Sequence, residues 1–397
     1  MSVTINGTTG IDTIQDGIVT TAKIAASAVS TAKIAADAVT TPKIADTVAL
    51  GRRNLVDNST FVLAQRGTSS TGQTGNGGFL TVDRWQINGN SDETFSVEQA
   101  TDGPDGIRNS FKYTCTTADT DNGTGDYRVF QTGIEGLNLQ HLKYGTSDAK
   151  QLTLSFWIKA SITGKYGLSL FRESRIIGSE YTVTTANTWE YKTVTFSGDT
   201  NTAIPNDNTN GMRVQFHLGA SSTYSGSGTR ANNWEAYSNT NWQESDDVVV
   251  YMTTNATWQV TGIQLEVGST ATELERRSYG EELQICKRYF EKIDYLNTEF
   301  VLMGIAGGTN NANGPLTYTE KRVAPTVDLP NAGQGSGNIS YLTSTGGYPS
   351  ATGDHSIQVA NTKQCRIYGF SYTGLTAGGP SYLFSTGATS ISIDAEL

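Results

Sequence analysis

The groups in this chain able to do covalent or metal chemistry are few and mostly isolated. Carboxylates gather at Glu244 with Asp246-Asp247, and at Glu273 with Glu275. Two carboxylates cleave a glycosidic bond when they face each other across the sugar at about 5–5.5 Å or 6.5–9.5 Å. Sequence spacing does not place two groups that way, and loop carboxylates are ordinarily solvated, so these are read as surface charge. His141, His217 and His355 stand alone, with no G-x-S-x-G, HExxH, P-loop or GxGxxG after a strand. Cys115, Cys286 and Cys365 are odd in number and far apart. That argues against a disulfide framework and supplies no CxxC-type metal site. Asp119-Thr-Asp121-Asn-Gly-Thr-Gly-Asp126 has the oxygen density for calcium but lacks the closing Glu of an EF-hand, and is read as a turn. The expectation is a non-enzyme with no catalytic residue, no metal site and no cofactor.

Non-covalent recognition has better candidates. A pyranose ring is held by a flat apolar face, with Asn, Asp, Gln and Arg bonding its hydroxyls. The segment Arg230-Ala-Asn-Asn-Trp234-Glu-Ala-Tyr237-Ser-Asn-Thr-Asn-Trp242-Gln-Glu-Ser-Asp has that character and no strand period. At least one of Trp234, Tyr237 and Trp242 is therefore expected to be partly exposed. The competing expectation is that they pin a long loop to a core, since Trp is highly buried on average. In Leu152-Thr-Leu-Ser-Phe-Trp-Ile-Lys, residues Leu152, Leu154, Phe156 and Ile158 share one face, which puts Trp157 on the other beside Ser155 and Lys159. Trp157 is the second candidate, with burial under a loop or second layer as its alternative. Further along, Tyr318, Tyr341, Tyr348 and Tyr372 are candidates on composition, because amphipathic Tyr suits recognition surfaces.

The elements that must position these groups read as mainly β. The chain has 397 residues, 17% charged and 36% apolar, with 43 Gly, so Thr, Ser, Asn and Gln make up much of the rest. This length allows two or three domains. Strands are expected at 60–64, 84–88, 95–99, 111–115, 127–132, 152–160, 166–171, 181–184, 190–196, 212–218, 248–253 and 258–266. Turn signals such as Asp105-Gly106, Asn122-Gly123 and Asn210-Gly211 separate them. Many short, evenly spaced strands predict a jelly-roll β-sandwich over 54–277. A second β-rich region over 295–397 reads as a small sandwich. Between them, Ser278-Tyr-Gly-Glu281 is a capping box, and Leu283, Cys286, Phe290 and Ile293 repeat at helical spacing, which predicts a linking helix over 278–294. Leu283 and Phe290 would then serve either a junction between chains or packing on the helix's own sandwich.

The first fifty residues repeat. Residues 18–47 read IVTTAKIAAS, AVSTAKIAAD and AVTTPKIADT. Val19, Val29 and Val39 recur in phase with Ile24, Ile34 and Ile44. A period of ten fits neither a straight helix nor a heptad. One Val and one Ile per decade cannot offset an ordering cost of about 1–2 kcal/mol per residue unless that face is shared with other chains. A trimeric stalk over 18–50 follows, with residues 1–17 as an attachment segment. A flexible Ala/Thr linker is the alternative, but linkers need no in-phase Val, Lys and Ile.

Other classes are excluded by composition. A net charge of −10 leaves no basic footprint for nucleic acid or anionic lipid. No apolar run approaches the ~20 residues of a membrane span, and the first residues lack the charged and apolar regions of a signal peptide. Synthesis in a reducing cytoplasm is expected.

Several separated motifs then carry a resemblance. In order they are Asn54-Leu-Val-Asp-Asn-Ser-Thr-Phe, Gln65-Arg-Gly-Thr, Thr81-Val-Asp-Arg-Trp, Leu154-Ser-Phe-Trp-Ile-Lys, Trp258-Gln-Val-Thr-Gly-Ile-Gln-Leu-Glu-Val-Gly and Arg277-Ser-Tyr-Gly-Glu-Glu-Leu. Over about residues 54–292 the chain resembles the central module of tail-fibre proteins of tailed bacteriophages, especially phages of cyanobacteria and marine bacteria. That module is similar to the jelly rolls of carbohydrate-binding modules. The resemblance implies a virion tail fibre attached to the tail or baseplate by its N-terminus, a homotrimer recognising a host surface glycan such as lipopolysaccharide or capsule. The alternatives are a carbohydrate-binding accessory module and a polysaccharide depolymerase. The in-phase decads favour the fibre, because an accessory module has no use for them. A solution mass near three times 42.5 kDa is expected by light scattering; a monomer would contradict the shared-face argument.

Overall fold

The fold is that of a computed structural model describing residues 52–172, 174–226, 232–296, 299–329, 339–343, 354–358, 360–370, 375–385 and 389–397. The decad residues Val19, Ile24, Val29, Ile34, Val39 and Ile44 lie outside the described residues, as do Tyr348 and Tyr372. The chain is mainly β. In the first sheet the strand order is Ser69–Gln73, Thr94–Ala100, Ser110–Thr117, Thr257–Val267, Leu152–Ala160 and Glu190–Phe196. In the second it is Glu235–Ala236, Arg175–Val183, Gly164–Arg172, Asn210–Ala220, Tyr127–Glu135, Gln86–Gly89 and Gly77–Gly78. Neighbours within each sheet are antiparallel, and the chain passes repeatedly from one sheet to the other, as in a jelly roll.

Period-two alternation fills the space between the sheets. Leu152, Leu154, Phe156 and Ile158 all point inward as the sequence predicts, meeting Tyr166, Leu168, Met212, Val214 and Phe216 from the facing sheet. Phe111 and Phe130 stack across the gap at 3.9 Å between centroids, and Trp85 stacks on Phe130 at 4.9 Å. Aromatic pairs of this kind add about 0.5–1.5 kcal/mol beyond their burial.

Two expected strands are not strands. Residues 60–64 form a turn, because the Asn58 amide accepts from Leu63 N and donates to Leu63 O, taking the place of a neighbouring strand. Phe61 sits there at φ 53°, outside the β region. Residues 248–253 cap the end of the sandwich through the 3-10 turn Val250–Met252, whose Tyr251 carbonyl accepts from Asp119 N at 3.0 Å.

The helix runs only over Tyr279–Lys287, with the Ser278–Glu281 capping box formed. The chain turns directly into the strand Phe290–Tyr295, so Phe290 and Ile293 belong to a sheet and not to a helical stripe. Phe290 is buried within its own chain under the Arg66 guanidinium, 3.5 Å from the ring centroid, and Leu283 is half-buried. The buried face of the helix carries Glu282 and Cys286; Glu282 accepts from the Asn58 backbone N–H.

In the C-terminal region Phe290–Tyr295 pairs with Thr389–Asp394, which pairs with Thr326–Asp328. A six-stranded sheet of Ile339–Thr343, Pro380–Ser385, Phe300–Ala306, Asn311–Thr317, Gln364–Phe370 and Asp354–Gln358 packs on it. Leu302, Leu316, Ile367, Leu383, Ile391 and Ile393 form the core of this small sandwich.

The last four residues return to the first sandwich. Glu396 bonds Arg84 at 2.6 Å with side-chain exposures of 4% and 1%, and Arg66 bonds Asp394 at 2.9 Å. Arg322 donates to the carbonyls of Ala395 and Glu396, each at 2.7 Å, and to Asn208 O at 3.0 Å. Arg84 also meets Asp57 at 3.4 Å and lies 3.3 Å from the Tyr289 ring centroid. Burial opposes its charge, but Glu396, Tyr289 and Asp57 outweigh that and hold the guanidinium above its ordinary range. Removing one partner of a buried pair costs about 3–5 kcal/mol. Glu396→Gln is therefore expected to lower the unfolding free energy by about 3 kcal/mol in denaturant titrations. The Arg84→Met/Glu396→Met double variant should lose less than the single one; an unchanged midpoint for Glu396→Gln would contradict this.

Candidate functional site

Along its central strands the second sheet is largely covered on its outer face as well as on its inner one, and that outer face carries mostly polar side chains. In Asn210–Ala220, Met212, Val214 and Phe216 point into the core, so Arg213, Gln215 and His217 point out. The same alternation turns Tyr127, Val129 and Gln131 outward beside them, with Gln86 and Asn88 on one flank and Ser169 and Phe171 on the other. The loop after residue 220 folds back over this face. Ser225–Gly226 and Gln243–Glu244 pair in parallel to anchor it. It carries Tyr224, Tyr237 and Trp242.

The result is an open cleft of about 260 Å³ between the sheet and the loop. Five rings line it. Tyr127 stands edge-on to Tyr224 and Trp242, at 5.1 and 4.8 Å, and Phe171 edge-on to Tyr237 at 5.2 Å. The remaining lining groups are the amides of Gln86, Asn88, Gln131 and Gln215, the Arg213 guanidinium and Val129; no described lining residue is Asp or Glu. The floor is a hydrogen-bonded chain. Gln215 Oε1 accepts from Trp242 Nε1 and from Ser169 Oγ, both at 3.1 Å, and Gln215 Nε2 donates to Gln131 Oε1 at 2.7 Å. Ser169 Oγ also bonds His217 Nε2 at 2.9 Å. Aromatic faces beside fixed amides are equipped to bind a polyhydroxylated ring.

The sequence candidates separate on this frame. Tyr237, half-exposed, and Trp242, with its indole N–H spent on the floor, both line the cleft. Trp234 does not. It is 9% exposed, donates to Ser197 O at 2.8 Å and packs edge-on to Tyr144, pinning the loop to the core. Trp157 lies on the outer face of the opposite sheet, half-exposed and 5.3 Å from Tyr191. Tyr341 falls in the strand Ile339–Thr343, opposite Leu383. The cleft residues missed by sequence reasoning are the outward members of strands already recognised: Gln86, Asn88, Tyr127, Gln131, Phe171, Arg213 and Gln215, with Tyr224 from the loop. Their signal was amide and guanidinium side chains at alternate positions of strands whose other positions are core.

The carboxylate candidates serve the scaffold. Glu275 accepts from the backbone N–H groups of Arg53 and Asn54 and pairs with Arg277 at 3.0 Å. Asp246 is exposed and pairs with Lys165 at 3.1 Å, while buried Asp247 accepts from Glu244 N at 3.2 Å. Asp119, Asp121 and Asp126 do converge, each offering an oxygen within 4.8 Å of the others. Asp119 accepts from the N–H groups of Asp121, Asn122 and Asp92 at 3.1–3.3 Å, the bonding of a tight turn.

No family model matches the chain, and no curated protein matches it. Solved structures align with about half of it at low similarity. The enzymatically active domain of tailspike protein 4 from bacteriophage CBA120 aligns at 12% identity and TM-score 0.31, over 54% of this chain and 21% of that one. The chain thus spans about a fifth of that tailspike domain. A family 11 carbohydrate-binding module from Clostridium thermocellum aligns at 12% identity and TM-score 0.25, over 48% of this chain and 91% of that one. A cyclase from Fischerella sp. TAU aligns at 10% identity and TM-score 0.30, over 56% of this chain and the whole of that one. At these scores the likenesses carry no argument about what the chain does.

Burial, with Asp119 beside it, pushes the Asp126 carboxyl up to about 6. The folded state then holds this proton more tightly than the unfolded chain, whose Asp titrates near 3.9. Stability from this group is full below about pH 4 and declines as pH rises through about 6. In chelator-treated buffer, Asp126→Asn is expected to raise the melting temperature at pH 7.5 and to flatten the decline between pH 4 and 6.5. A lower melting temperature at pH 7.5 would contradict the assignment.

Proposed function

We propose that this chain is a phage tail fibre that holds a host surface polysaccharide non-covalently in the cleft on the outer face of the seven-stranded sheet. The observation that carries the binding part is the lining: five aromatic rings and four amides on a rigid sheet floor, with no carboxylate among the described lining residues. Rings of this size give stacking area, and amides supply paired donors and acceptors for vicinal hydroxyls. The open volume of about 260 Å³ suits one or two sugar units, with the rest of the polymer outside. A site that small binds weakly, on the order of millimolar, or ~−4 kcal/mol. Trimeric presentation raises avidity by about 10²–10⁴, and the in-phase decads of residues 18–47 support such an assembly.

The fibre role rests on those decads and on the motif resemblance over residues 54–292. In that reading the N-terminal segment docks on the tail or baseplate, and the protein, made in the host cytoplasm, resides in the virion. Tyr237→Ala is expected to weaken binding to host surface glycan at least tenfold in titration calorimetry while leaving the melting temperature within about 3 °C. Trp157→Ala, on the opposite sheet, should bind as wild type. Loss of binding in Trp157→Ala with none in Tyr237→Ala would move the site to the other face.

A further inference from the structure

We infer that the outer face of the six-stranded C-terminal sheet is a surface where copies of this chain meet one another around a common axis; this rests on the reading of the chain as a trimeric fibre. An antiparallel sheet with a core on one face ordinarily turns polar side chains to water on the other. At the middle of this sheet it does not. Phe300–Ala306 and Asn311–Thr317 are its two central strands. Leu302 and Ala306 enter the core of the small sandwich, so alternation turns Met303 and Ile305 the other way. They are 71% and 60% exposed. Two exposed proline rings extend the patch: Pro380 stands opposite Ile305 on one neighbouring strand, and Pro315 lies on the other. An open groove of about 670 Å³ runs here, lined by Met303, Ile305, Asn313, Pro315 and Arg366 among others. Single exposed apolar residues are ordinary, but a contiguous patch at the centre of a sheet marks a contact surface.

Two features make the occupant another copy of the chain. The first is charge. Each copy carries −10, so copies repel at a distance and need a face without carboxylates to approach through. No described residue lining the groove is Asp or Glu. Around a rotation axis, a residue near the axis meets its own counterpart, so a charge there would face itself. Met303, Ile305, Pro315 and Pro380 carry none. Arg366, the one charged residue among the described lining residues, stands a strand further out, opposite Pro315. The second feature is area. Six strands about 4.8 Å apart and about 20 Å long present on the order of 600 Å². A stable interface needs ~800 Å² per partner. This face therefore closes only between copies held together elsewhere, and the in-phase decads of residues 18–47 supply that tether in register.

The test uses the full chain, whose own Cys115, Cys286 and Cys365 are buried. Met303→Cys puts a thiol on the face, and Tyr279→Cys, at a helix position 62% exposed, serves as control. In the trimer, Met303→Cys is expected to react with a maleimide at least tenfold more slowly than Tyr279→Cys. Combining it with Ile24→Ser, Ile34→Ser and Ile44→Ser, which should give a monomer by light scattering, is expected to remove that protection and leave the control unchanged. Adding Ile305→Glu to Met303→Cys should also restore fast labelling while the decads keep the mass trimeric. A trimer in which Met303→Cys reacts as fast as Tyr279→Cys would overturn the interface and leave the fibre reading standing. Protection that persists in the monomeric decad variant would show that the chain covers this face by itself, and would overturn the interface too. A wild-type chain that is monomeric would overturn both.

Discussion

One buried guanidinium ties together four segments that lie far apart in the chain. Arg84 takes an oxygen of Glu396, meets Asp57, lies over the Tyr289 ring and donates to Gly133 O at 2.6 Å. Those partners come from the start of the first sandwich, its second sheet, the segment after the helix and the C-terminus. Its own backbone sits at φ 72°, a conformation that costs a non-Gly residue about 1–3 kcal/mol and persists because the side chain is held from several directions. Around it, Trp85 Nε1 donates to Asp57 O at 3.0 Å, Asn58 Nδ2 to Asp83 O at 2.9 Å, and Arg277 Nη2 to Asn54 O at 2.5 Å. Residues 54–61, 81–85 and 277–283, which carry much of the motif resemblance, are thus the joints of the scaffold. None of them lines the cleft.

The cleft follows from the same scaffold by a simpler rule. A sheet packed on one face by a hydrophobic core and on the other by a loop must find partners for every second side chain. Here those side chains are amides, a guanidinium and rings, and they satisfy part of their hydrogen bonding among themselves. The loop is held by Trp234, whose indole reaches Ser197 O, and by Tyr237 N, which donates to Ser174 O at 2.7 Å. Rigid support on the sheet and aromatic cover from the loop are what a weak, specific site needs.

Much of this was legible in the sequence. The alternation in Leu152–Ala160 gave the inward face residue by residue, and the capping box at Ser278 gave the start of the helix. The aromatic loop segment stands out in the sequence, but periodicity does not say which of three rings in an irregular stretch is buried. Trp234 went to the core, while Tyr237 and Trp242 went to the cleft. The end of the helix is ambiguous in the sequence because Phe290 and Ile293 satisfy helical spacing and also suit a strand; the pairing with Thr389–Asp394, about a hundred residues away, decides the matter. Residues 60–64 have the local pattern of a strand, and the Asn58 side chain's part in bonding Leu63 is a detail invisible to that pattern. The floor network joins residues 131, 169, 215 and 242, and no single-sequence rule brings those together.

The central claim is that recognition takes place on the outer face of the seven-stranded sheet. Hydrogen exchange of the full chain, with and without host surface glycan, tests it most directly. Protection is expected in the strands Tyr127–Glu135 and Asn210–Ala220 and around Tyr237 and Trp242, with the strand Glu190–Phe196 of the opposite sheet unchanged. Protection confined to that opposite sheet near Trp157 and Tyr191, or to the C-terminal sandwich, would contradict the account.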